Sequence, residues 1–212
     1  MIFFRPNLPS KEKALQGRNE PICINNLHHV HQRTIKAPFP SKYQLALFGL
    51  GCFWGAEQVF WTKKGVYTTA VGYAGGYTPN PTYEEVCSGL TGHAEVVLVV
   101  FNPSKINYLT LLKTFWEGHD PTQGMRQQND IGTQYRSCIY TYNKEQEELA
   151  TNTKEHYNEI LVASDKSKIT TEIKEANAFY YAEDNHQQYL SKNPGGYCGL
   201  GSTGLCLDAK NF

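Results

Sequence analysis

Cys52 is the residue of this sequence whose surroundings most favour chemistry. It lies in the segment GCFWGAE, residues 51–57, where an apolar strand-like run ends and a helix-like run begins. A sulfur atom at that junction can lie against the unpaired N–H groups of the helix start, which favour a thiolate. Lowering a thiol pKa from about 8.5 to about 7 requires roughly 2 kcal/mol, and a helix start supplies about 0.3–1 kcal/mol, up to ~2 kcal/mol in good geometry. The pattern therefore predicts a nucleophilic thiolate rather than a buried packing residue.

Glu95 is the candidate proton donor for such a thiolate. It lies in step with the apolar residues at positions 97, 99 and 101, so its carboxyl group would occupy an otherwise apolar face of a strand. Burial and a neighbouring thiolate both raise a carboxyl pKa, which would keep Glu95 neutral while Cys52 is anionic. The alternative is a carboxylate at a strand end that reaches solvent. Two phenolic hydroxyls would complete the site if the fold brings them close, those of Tyr83 and Tyr135.

The elements that must position these groups follow from hydrophobic periodicity. The order of apolar runs is β-α-β-β-α-β, which predicts an α+β fold with a two-layer ferredoxin-like core and a mixed, mainly antiparallel sheet. An amphipathic helix over residues 144–163 and an edge strand over residues 169–173 are expected to extend this core. The predicted strands cover residues 43–50, 66–73, 94–101 and 134–142, and the helices cover residues 53–61 and 108–116, with a short helix at residues 83–88.

The predicted topology brings the four polar groups together. In a split βαβ arrangement the spatial strand order is 4-1-3-2, with strand 1 antiparallel to strands 3 and 4. The end of strand 1 then meets the starts of strands 3 and 4 at one edge of the sheet. Cys52 follows strand 1, Glu95 opens strand 3 and Tyr135 opens strand 4. The loop that holds Tyr83 leaves the same edge, so we expect one site that contains all four side chains.

Both ends of the chain are predicted to be irregular. Residues 1–42 contain several prolines and little periodicity, which predicts an extension that packs on a single catalytic domain formed by residues 43–212. The last part of that domain, the tail of residues 193–212, is rich in glycine and is expected to be a mobile coil. This tail holds two cysteines, Cys198 and Cys206, whose seven intervening residues give them room to meet.

The composition gives no sign of a nucleic-acid or membrane partner. Lys+Arg and Asp+Glu both total 20, so the net charge is zero. No stretch approaches the ~18 consecutive apolar residues of a membrane-spanning helix. Arg5, Pro6 and Pro9 interrupt the region where a signal peptide has its apolar core. Six cysteines are too few for a disulfide scaffold of this size, and a reducing compartment would keep them as thiols. We therefore expect a cytoplasmic protein. We also expect a monomer.

Several segments resemble the A-type peptide methionine sulfoxide reductases. The segment GCFWGAE at residues 51–57 is quite specific by itself, and GYAGG at residues 72–76, GHAE at residues 92–95 and GTQYRS at residues 132–137 follow in order. With the glycine-rich tail, the resemblance covers roughly residues 43–207. It implies that the chain reduces the S epimer of methionine sulfoxide, in oxidised proteins and as the free amino acid, and so repairs oxidative damage.

The resemblance also implies roles for single residues. Cys52 would attack the sulfoxide sulfur, Glu95 would protonate the oxygen, and the two tyrosines would hold that oxygen. Phe53 and Trp54 would form an apolar pocket for the S-methyl group of the substrate, although spacing alone favours ordinary core packing for both. Asp130 is implied to line the site as well.

A regeneration route follows from the same resemblance. Oxygen transfer would leave Cys52 as a sulfenic acid, which a nearby thiol converts to a disulfide. The family scheme implies that Cys198 captures Cys52 and that Cys206 then displaces it, which leaves a Cys198–Cys206 disulfide. Thioredoxin would reduce this disulfide by thiol exchange, and dithiothreitol would substitute for thioredoxin. No metal or organic cofactor is expected.

The other cysteines and most histidines are interpreted without a catalytic role. The histidine cluster at residues 28–31 lacks partners with zinc-ligand spacing, so a solvated loop is the simpler interpretation. His186 lies near several tyrosines, and the sequence leaves open whether it packs beside the tail or tunes the site. Three cysteines are interpreted as incidental thiols: Cys23, Cys87 and Cys138.

Two other functions stay open on the sequence alone. A cysteine hydrolase would pair Cys52 with a histidine base such as His93 or His119. A metal-binding or interaction module would use residues 28–31 and the tail cysteines, and stoichiometric zinc would support it. A phosphatase is excluded, because its loop needs an arginine where this chain has Gln58.

Overall fold

The computed structural model of the chain describes residues 6–208 and residue 212. The start of the predicted N-terminal extension, including Arg5, and the part of the predicted tail at residues 209–211 lie outside the described residues. Within the described residues the strands are β1 (Gln44–Gly49), β2 (Val66–Ala74), β3 (Ala94–Phe101), β4 (Arg126–Gln127), β5 (Asp130–Ile131), β6 (Cys138–Thr141), β7 (Glu172–Glu175) and β8 (Phe179–Tyr181).

Three of the described helices begin at side chains that bond the first free backbone N–H groups. The side chains of Asn107 and Asn143 accept hydrogen bonds in this way, and Thr82 forms a capping box with Glu85.

None of the described helices is both long enough and apolar enough to span a membrane. The helices are α1 (Phe53–Trp61), α2 (Tyr83–Cys87), α3 (Tyr108–Gly118), α4 (Lys144–Ala163) and α5 (Tyr189–Lys192), with 3-10 turns at Lys11–Lys13 and Thr133–Tyr135.

Six strands form the main sheet in the order β7-β6-β1-β3-β2-β8, while β4 and β5 pair as a small hairpin. Strand β1 is antiparallel to both of its neighbours, with Phe48 opposite Val97 of β3 and opposite Ile139 of β6. The four central strands therefore have the predicted spatial order and directions. The mixed, mainly antiparallel sheet with its helices confirms the predicted α+β class.

One face of the sheet packs against the long helices. Phe48 of β1 stacks on Phe60 of α1 with 5.0 Å between ring centroids, and it also contacts Phe115 of α3. Tyr157 and Leu161 of α4 are fully buried in the same cluster. The start of α1 is thereby fixed against the sheet, which matters because Cys52 immediately precedes it.

The opposite face of the sheet packs against the N-terminal segment. Ile24 and Ile35 are buried there against Leu47, Leu98 and neighbouring apolar side chains of the strands. The segment is irregular except for one 3-10 turn among its described residues, in agreement with its proline content. The division of the chain into an extension and one catalytic domain stays a prediction.

Two strand predictions are partly wrong. The strand expected from residue 134 begins at Cys138, because Thr133–Tyr135 form a 3-10 turn that Arg136 closes through a bond from its Nη1 atom to the Thr133 carbonyl. The edge strand expected at residues 169–173 is Glu172–Glu175. The backbone before it bonds elsewhere, since the N–H of Ile169 donates to the side chain of Asn158 on α4.

Candidate active site

A glycine turn delivers Cys52 to the start of α1. Gly51 has a φ of +107°, which disfavours any side chain, and an added Cβ would lie 2.6 Å from the side chain of Gln127. Cys52 is the N-cap residue of α1 and is only 5% exposed. The predicted position of the thiol, between a strand and a helix, is confirmed.

The first N–H groups of α1 serve both the thiol and the acid. The N–H of Phe53 donates to Oε2 of Glu95 at 2.9 Å. The next two N–H groups, those of Trp54 and Gly55, lower the pKa of the Cys52 thiol. The helix start therefore joins Cys52 and Glu95, which are far apart in sequence, into one site.

Burial nevertheless dominates the ionisation of Cys52. It raises the pKa of the thiol well above its usual range, and the negative charge of Glu95 adds to this effect. The N–H groups of Trp54 and Gly55 oppose the shift but are the weaker influence. The prediction that the helix start makes Cys52 a resting thiolate is therefore wrong, because the prediction left out the cost of desolvation.

Glu95 has the environment that the sequence predicts. It is 1% exposed at the start of β3, and burial raises its pKa to about 8 although the bond from Phe53 opposes the shift. The nearby carboxylate of Asp130 raises the pKa further. Glu95 is therefore mainly a neutral carboxylic acid at pH 7, which is the state that can donate a proton.

The two predicted tyrosines lie beside this acid. The pKa values of Tyr83 and Tyr135 are both raised, first by burial and next by the charge of Glu95. Tyr83 begins α2, whereas Tyr135 lies in the 3-10 turn and not at a strand start. Cys52 is also close enough to Tyr83 to raise its pKa. The structure thus gathers the four groups that the topology was expected to bring together.

Phe53 and Trp54 differ in their access to solvent. Phe53 is fully buried, with its ring centroid 5.9 Å from that of Tyr73. Trp54 is half-buried, and its ring stacks on Tyr189 with 4.0 Å between centroids. The Nε1–H of Trp54 also donates to Nδ1 of His186 at 3.1 Å. Trp54 therefore exposes part of its ring beside the site, while Phe53 packs in the core beneath the site residues.

His186 and Tyr189 belong to the site, and sequence reasoning did not place them there. The centroid of the His186 ring lies 4.3 Å from the ring centroid of Tyr83 and 5.8 Å from that of Trp54. The tyrosine-rich surroundings of His186 were the one available signal. They did not decide the matter, because the contact with Trp54 spans 132 residues.

The described part of the tail is a coil over residues 193–208, as predicted, and it lies against the site and the helices. A Cβ added at Gly55 would be 2.6 Å from Sγ of Cys198, so that sulfur rests on the first turn of α1. Cys206 is exposed, while the adjacent Leu207 is fully buried. The N–H of Leu207 donates to Glu117 of α3 at 2.8 Å. The Leu207 carbonyl accepts from Nζ of Lys113 at 3.0 Å.

Neither histidine proposed as a hydrolase base is available to Cys52. The ring nitrogens of His93 bond the N–H of Gly76 and the carbonyl of Thr78. Both ring nitrogens of His119 are likewise bonded within the protein, one of them to Ser137 at 2.7 Å. The hydrolase hypothesis is therefore not supported.

The histidine cluster at residues 28–31 is not a solvated loop throughout. His28 is fully buried, its Nε2 atom bonds Oγ1 of Thr69 at 2.9 Å, and its ring stacks on His31. The described residues contain no group of three or more histidine, cysteine or acidic side chains arranged to hold a metal ion. The remaining cysteines are unpaired, and Cys87 lies near Tyr83.

Comparisons with known proteins give a consistent result. The family model described as peptide methionine sulfoxide reductase matches residues 44–206. MsrA of Azotobacter vinelandii is 62% identical over 200 residues, which cover 94% of this chain and 93% of the relative. MsrA of Pseudomonas aeruginosa strain UCBPP-PA14 is 58% identical over 205 residues, 97% of this chain and 95% of the relative.

Solved structures share the fold. Methionine sulfoxide reductase A of Corynebacterium diphtheriae superposes with a TM-score of 0.86 at 45% identity, over 95% of this chain and 98% of the other. Mxr1 of Saccharomyces cerevisiae in reduced form gives a TM-score of 0.68 at 36% identity, over 77% and 92% of the chains. A match of this extent over sequence and structure means that the chain belongs to the peptide methionine sulfoxide reductase family, as an A-type member that uses thiols to reduce methionine sulfoxide.

Proposed function

We propose that the chain reduces the S epimer of methionine sulfoxide, free or in proteins, with Cys52 as nucleophile and Glu95 as proton donor. The observation that carries this proposal concerns the buried carboxyl group of Glu95. It accepts a hydrogen bond from the first N–H group of α1, the helix whose N-cap residue is Cys52. An acid and a thiol held at one helix start can act on two neighbouring atoms of a sulfoxide, its oxygen and its sulfur.

The two protonation states suit a coupled transfer. Glu95 gives its proton to the sulfoxide oxygen, and the proton released by the Cys52 thiol replaces it on the carboxylate. The anionic sulfur then bonds the substrate sulfur, while the N–H groups of Trp54 and Gly55 stabilise the charge that develops on Cys52. The oxygen finally passes to Cys52, which becomes a sulfenic acid as the substrate is reduced to methionine.

The surrounding side chains would hold the substrate. The hydroxyls of Tyr83 and Tyr135 would donate to the sulfoxide oxygen, a role supported by the closeness of both residues to Glu95, whose charge raises their pKa values. Trp54 would contact the S-methyl group with the exposed part of its ring, over the buried ring of Phe53. Asp130 is close enough to Cys52 and Glu95 to affect both of their pKa values, which supports a place at the edge of the pocket.

Regeneration of Cys52 is proposed to use the tail. Cys198 attacks the sulfenic acid and forms a disulfide with Cys52, and Cys206 then displaces Cys52 from Cys198. Both tail cysteines are exposed, which suits reduction of their disulfide by thioredoxin. Dithiothreitol replaces thioredoxin in this scheme. The monomeric state and the cytoplasmic location predicted from the sequence belong to the same proposal.

Separated sulfoxide epimers test the reaction and its stereochemistry. We expect methionine to form from the S epimer with thioredoxin and its reductase, and the R epimer to stay unreacted. The Cys52→Ser variant should release no methionine, because a serine hydroxyl cannot accept the sulfoxide oxygen as the Cys52 thiol does when it becomes a sulfenic acid. Chromatography of the products measures both results.

The Cys206→Ser variant is the matched control for the tail. It should still complete one cycle with dithiothreitol, but it should lose turnover with thioredoxin because no Cys198–Cys206 disulfide can form. Methionine release by Cys52→Ser would disprove the nucleophile, and wild-type turnover of Cys206→Ser with thioredoxin would disprove the route through the tail.

A further inference from the structure

The tail residues 197–201 occupy a defined position over the active site. Contacts on this segment alternate between the β4–β5 hairpin and the start of α1. Tyr197 and Gly201 meet the hairpin region, since the Tyr197 hydroxyl bonds Asp130 and the Gly201 carbonyl accepts from Nε2 of Gln128 at 3.4 Å. Cys198 and Leu200, two residues further on, meet α1. The segment is therefore docked across a groove between two elements.

Tyr197 makes the polar contact of this segment with a group of the site. Its hydroxyl donates to Oδ1 of Asp130 at 3.1 Å, although its side chain is 47% exposed. Asp130 and Cys52 are among the groups whose negative charges raise the pKa of Tyr197. A Cβ added at Gly199 would lie 2.2 Å from Oδ2 of the same carboxylate, so the tail backbone covers Asp130 closely. The bond thus holds the tail against the edge of the site.

Gly55 provides the resting place of the Cys198 sulfur. An alanine Cβ at this position would lie 2.6 Å from Sγ of Cys198, closer than real contacts allow. Glycine is a poor helix former, so its presence in the first turn of α1 has a cost in helix propensity that this close approach explains. Gly55 is three residues after Cys52, so the resting place of the Cys198 sulfur lies about one turn of α1 away from Cys52.

Leu200 adds an apolar contact to the docked segment. Its side chain is half-buried against the helical core and lies 3.1 Å from a Cβ position built on Gly55. It also lies 3.7 Å from the Cβ position of Gly51, the glycine of the Cys52 turn. Leu200 and Tyr197 lie on either side of Cys198 in sequence. Leu200 anchors the segment on α1, and Tyr197 anchors it on the β4–β5 hairpin.

We propose that Tyr197 is a positioning residue that, through its bond to Asp130, holds the Cys198 sulfur on Gly55 before Cys52 is oxidised. This inference rests on the proposed function, in which Cys198 resolves the sulfenic acid. In that step the Cys198 sulfur bonds the Cys52 sulfur and the Cys52 S–O bond breaks. The oxygen leaves as water with the thiol proton of Cys198, so Cys198 is oxidised and the sulfenic sulfur is reduced.

Docking of the tail favours capture of the Cys52 sulfenic acid by Cys198 over its further oxidation. A free tail must close a loop each time, whereas a held thiol reacts as a neighbouring group at high effective concentration. Fast capture also leaves less time for further oxidation of Cys52 to a sulfinic acid, which cannot be reversed by thiols. The hydroxyl of Tyr197 therefore acts on the second chemical step and not on the first.

The Tyr197→Phe variant tests this assignment by rapid quenching after one addition of methionine sulfoxide. We expect the burst of methionine to keep its wild-type rate, and the Cys52–Cys198 disulfide to form about three- to tenfold more slowly, the range for loss of one partly exposed bond to a charged group. Dimedone added at the quench should label more Cys52 sulfenic acid than in the wild type, as measured by mass spectrometry.

Two further variants keep the test decisive. Tyr142→Phe is the matched control, because Tyr142 is 39% exposed and follows the far end of β6, and it should change neither step. Leu200→Ala removes the apolar anchor and should slow disulfide formation in the same way as Tyr197→Phe. Wild-type disulfide rates in both tail variants, or equal slowing of both steps, would overturn the positioning role. Failure of wild-type protein to form any sulfenic acid would instead overturn the proposed function itself.

Discussion

A buried thiol and a buried carboxylic acid share the start of α1, and both keep their protons at neutral pH. Burial raises the pKa of Cys52 and that of Glu95, while helix N–H groups act in the opposite direction on each. The site therefore stores its nucleophile in an unreactive form. A resting thiol is less open to oxidation by adventitious oxidants than a resting thiolate would be.

The raised pKa of Glu95 makes protein stability depend on pH. The pKa of Glu95 rises from 4.5 to about 8 on folding, so the folded state holds this proton more tightly than the unfolded state. The resulting stability is fully present below pH 4.5 and is lost as the pH rises through about 8. Glu95→Gln removes this dependence. Between pH 5 and pH 9 the variant should gain roughly 3–5 kcal/mol relative to wild type.

Urea unfolding of both proteins at a series of pH values measures this difference. Glu155→Gln is the control for the loss of one carboxyl group, because Glu155 is exposed on α4. A pH dependence in Glu95→Gln equal to that of wild type would show that Glu95 is not a buried neutral acid.

At the scale of the elements, Arg136 joins the two segments that carry Tyr135 and Glu95. Its side chain is 4% exposed, and its Nη1 and Nη2 atoms donate to the carbonyls of Thr133 and Gly92. Its Nε atom donates to Glu172 of β7 at 2.9 Å and holds the pKa of that carboxyl group at about 2. Glu172 therefore balances the charge of a guanidinium group that is buried between the two segments.

The Arg136→Lys variant should lose most of this connection. One ammonium group cannot replace the planar fork of donors, so we expect a loss of about 3–5 kcal/mol in the free energy of unfolding. The rate of methionine formation should fall with little change in KM, since the tyrosine and the acid lose their alignment rather than their contact with substrate. Urea unfolding and steady-state kinetics measure the two effects.

Lys174 offers a control with the same carboxylate. Its Nζ atom lies 2.6 Å from Glu172, but its side chain is 59% exposed. Lys174→Gln should therefore change stability by less than about 1 kcal/mol and leave the rate intact. Equal effects of the two substitutions would contradict a special role for the buried guanidinium.

Elements formed by local periodicity were predicted well. The predicted bounds of α1, β3 and α4 agree with the structure, because their apolar residues repeat with the spacing of the element they form. Strand β8 and helix α5 were missed. They are short, and tertiary contacts create them: Tyr180 pairs with Tyr73 across 107 positions, and Gln188 begins α5 with a φ of +49°.

The site divides in the same way. Cys52 and Glu95 were predictable because each stands out against its own local pattern. His186 and Tyr189 were not, since their contacts with Trp54 join distant parts of the chain. The position of Tyr197 outside the site, in the tail, was unpredictable for the same reason, because its bond to Asp130 spans 67 residues. The ionisation of Cys52 was also out of reach, because a sequence pattern indicates a helix start but not the degree of burial.

At the scale of the whole molecule, the sheet has cover on both faces. The long helices pack on one face, and the N-terminal segment fills the other with Ile24 and Ile35. This arrangement places the site at one edge of the sheet, at the ends of strands that both layers hold in place. The N-terminal segment therefore contributes to the stability of the sheet that positions the site.

The Ile35→Ala variant measures that contribution. Ile35 is 1% exposed, so we expect a loss of about 2–5 kcal/mol in the free energy of unfolding, with activity retained at temperatures where the variant stays folded. Val30→Ala, at a side chain that is 42% exposed in the same segment, should change stability by less than about 0.5 kcal/mol. Equal losses in urea unfolding would show that the segment is not part of the core.

Leu207 fixes the tail to α3 immediately after the cysteine Cys206. Its buried side chain and its two backbone bonds to α3 fix the chain one residue after Cys206. Any movement of Cys206 must therefore pivot about this fixed residue. Cargo fused to the C-terminus would pull on a buried leucine and not on the thiols, so this end of the molecule is suited to carrying labels and surface tethers.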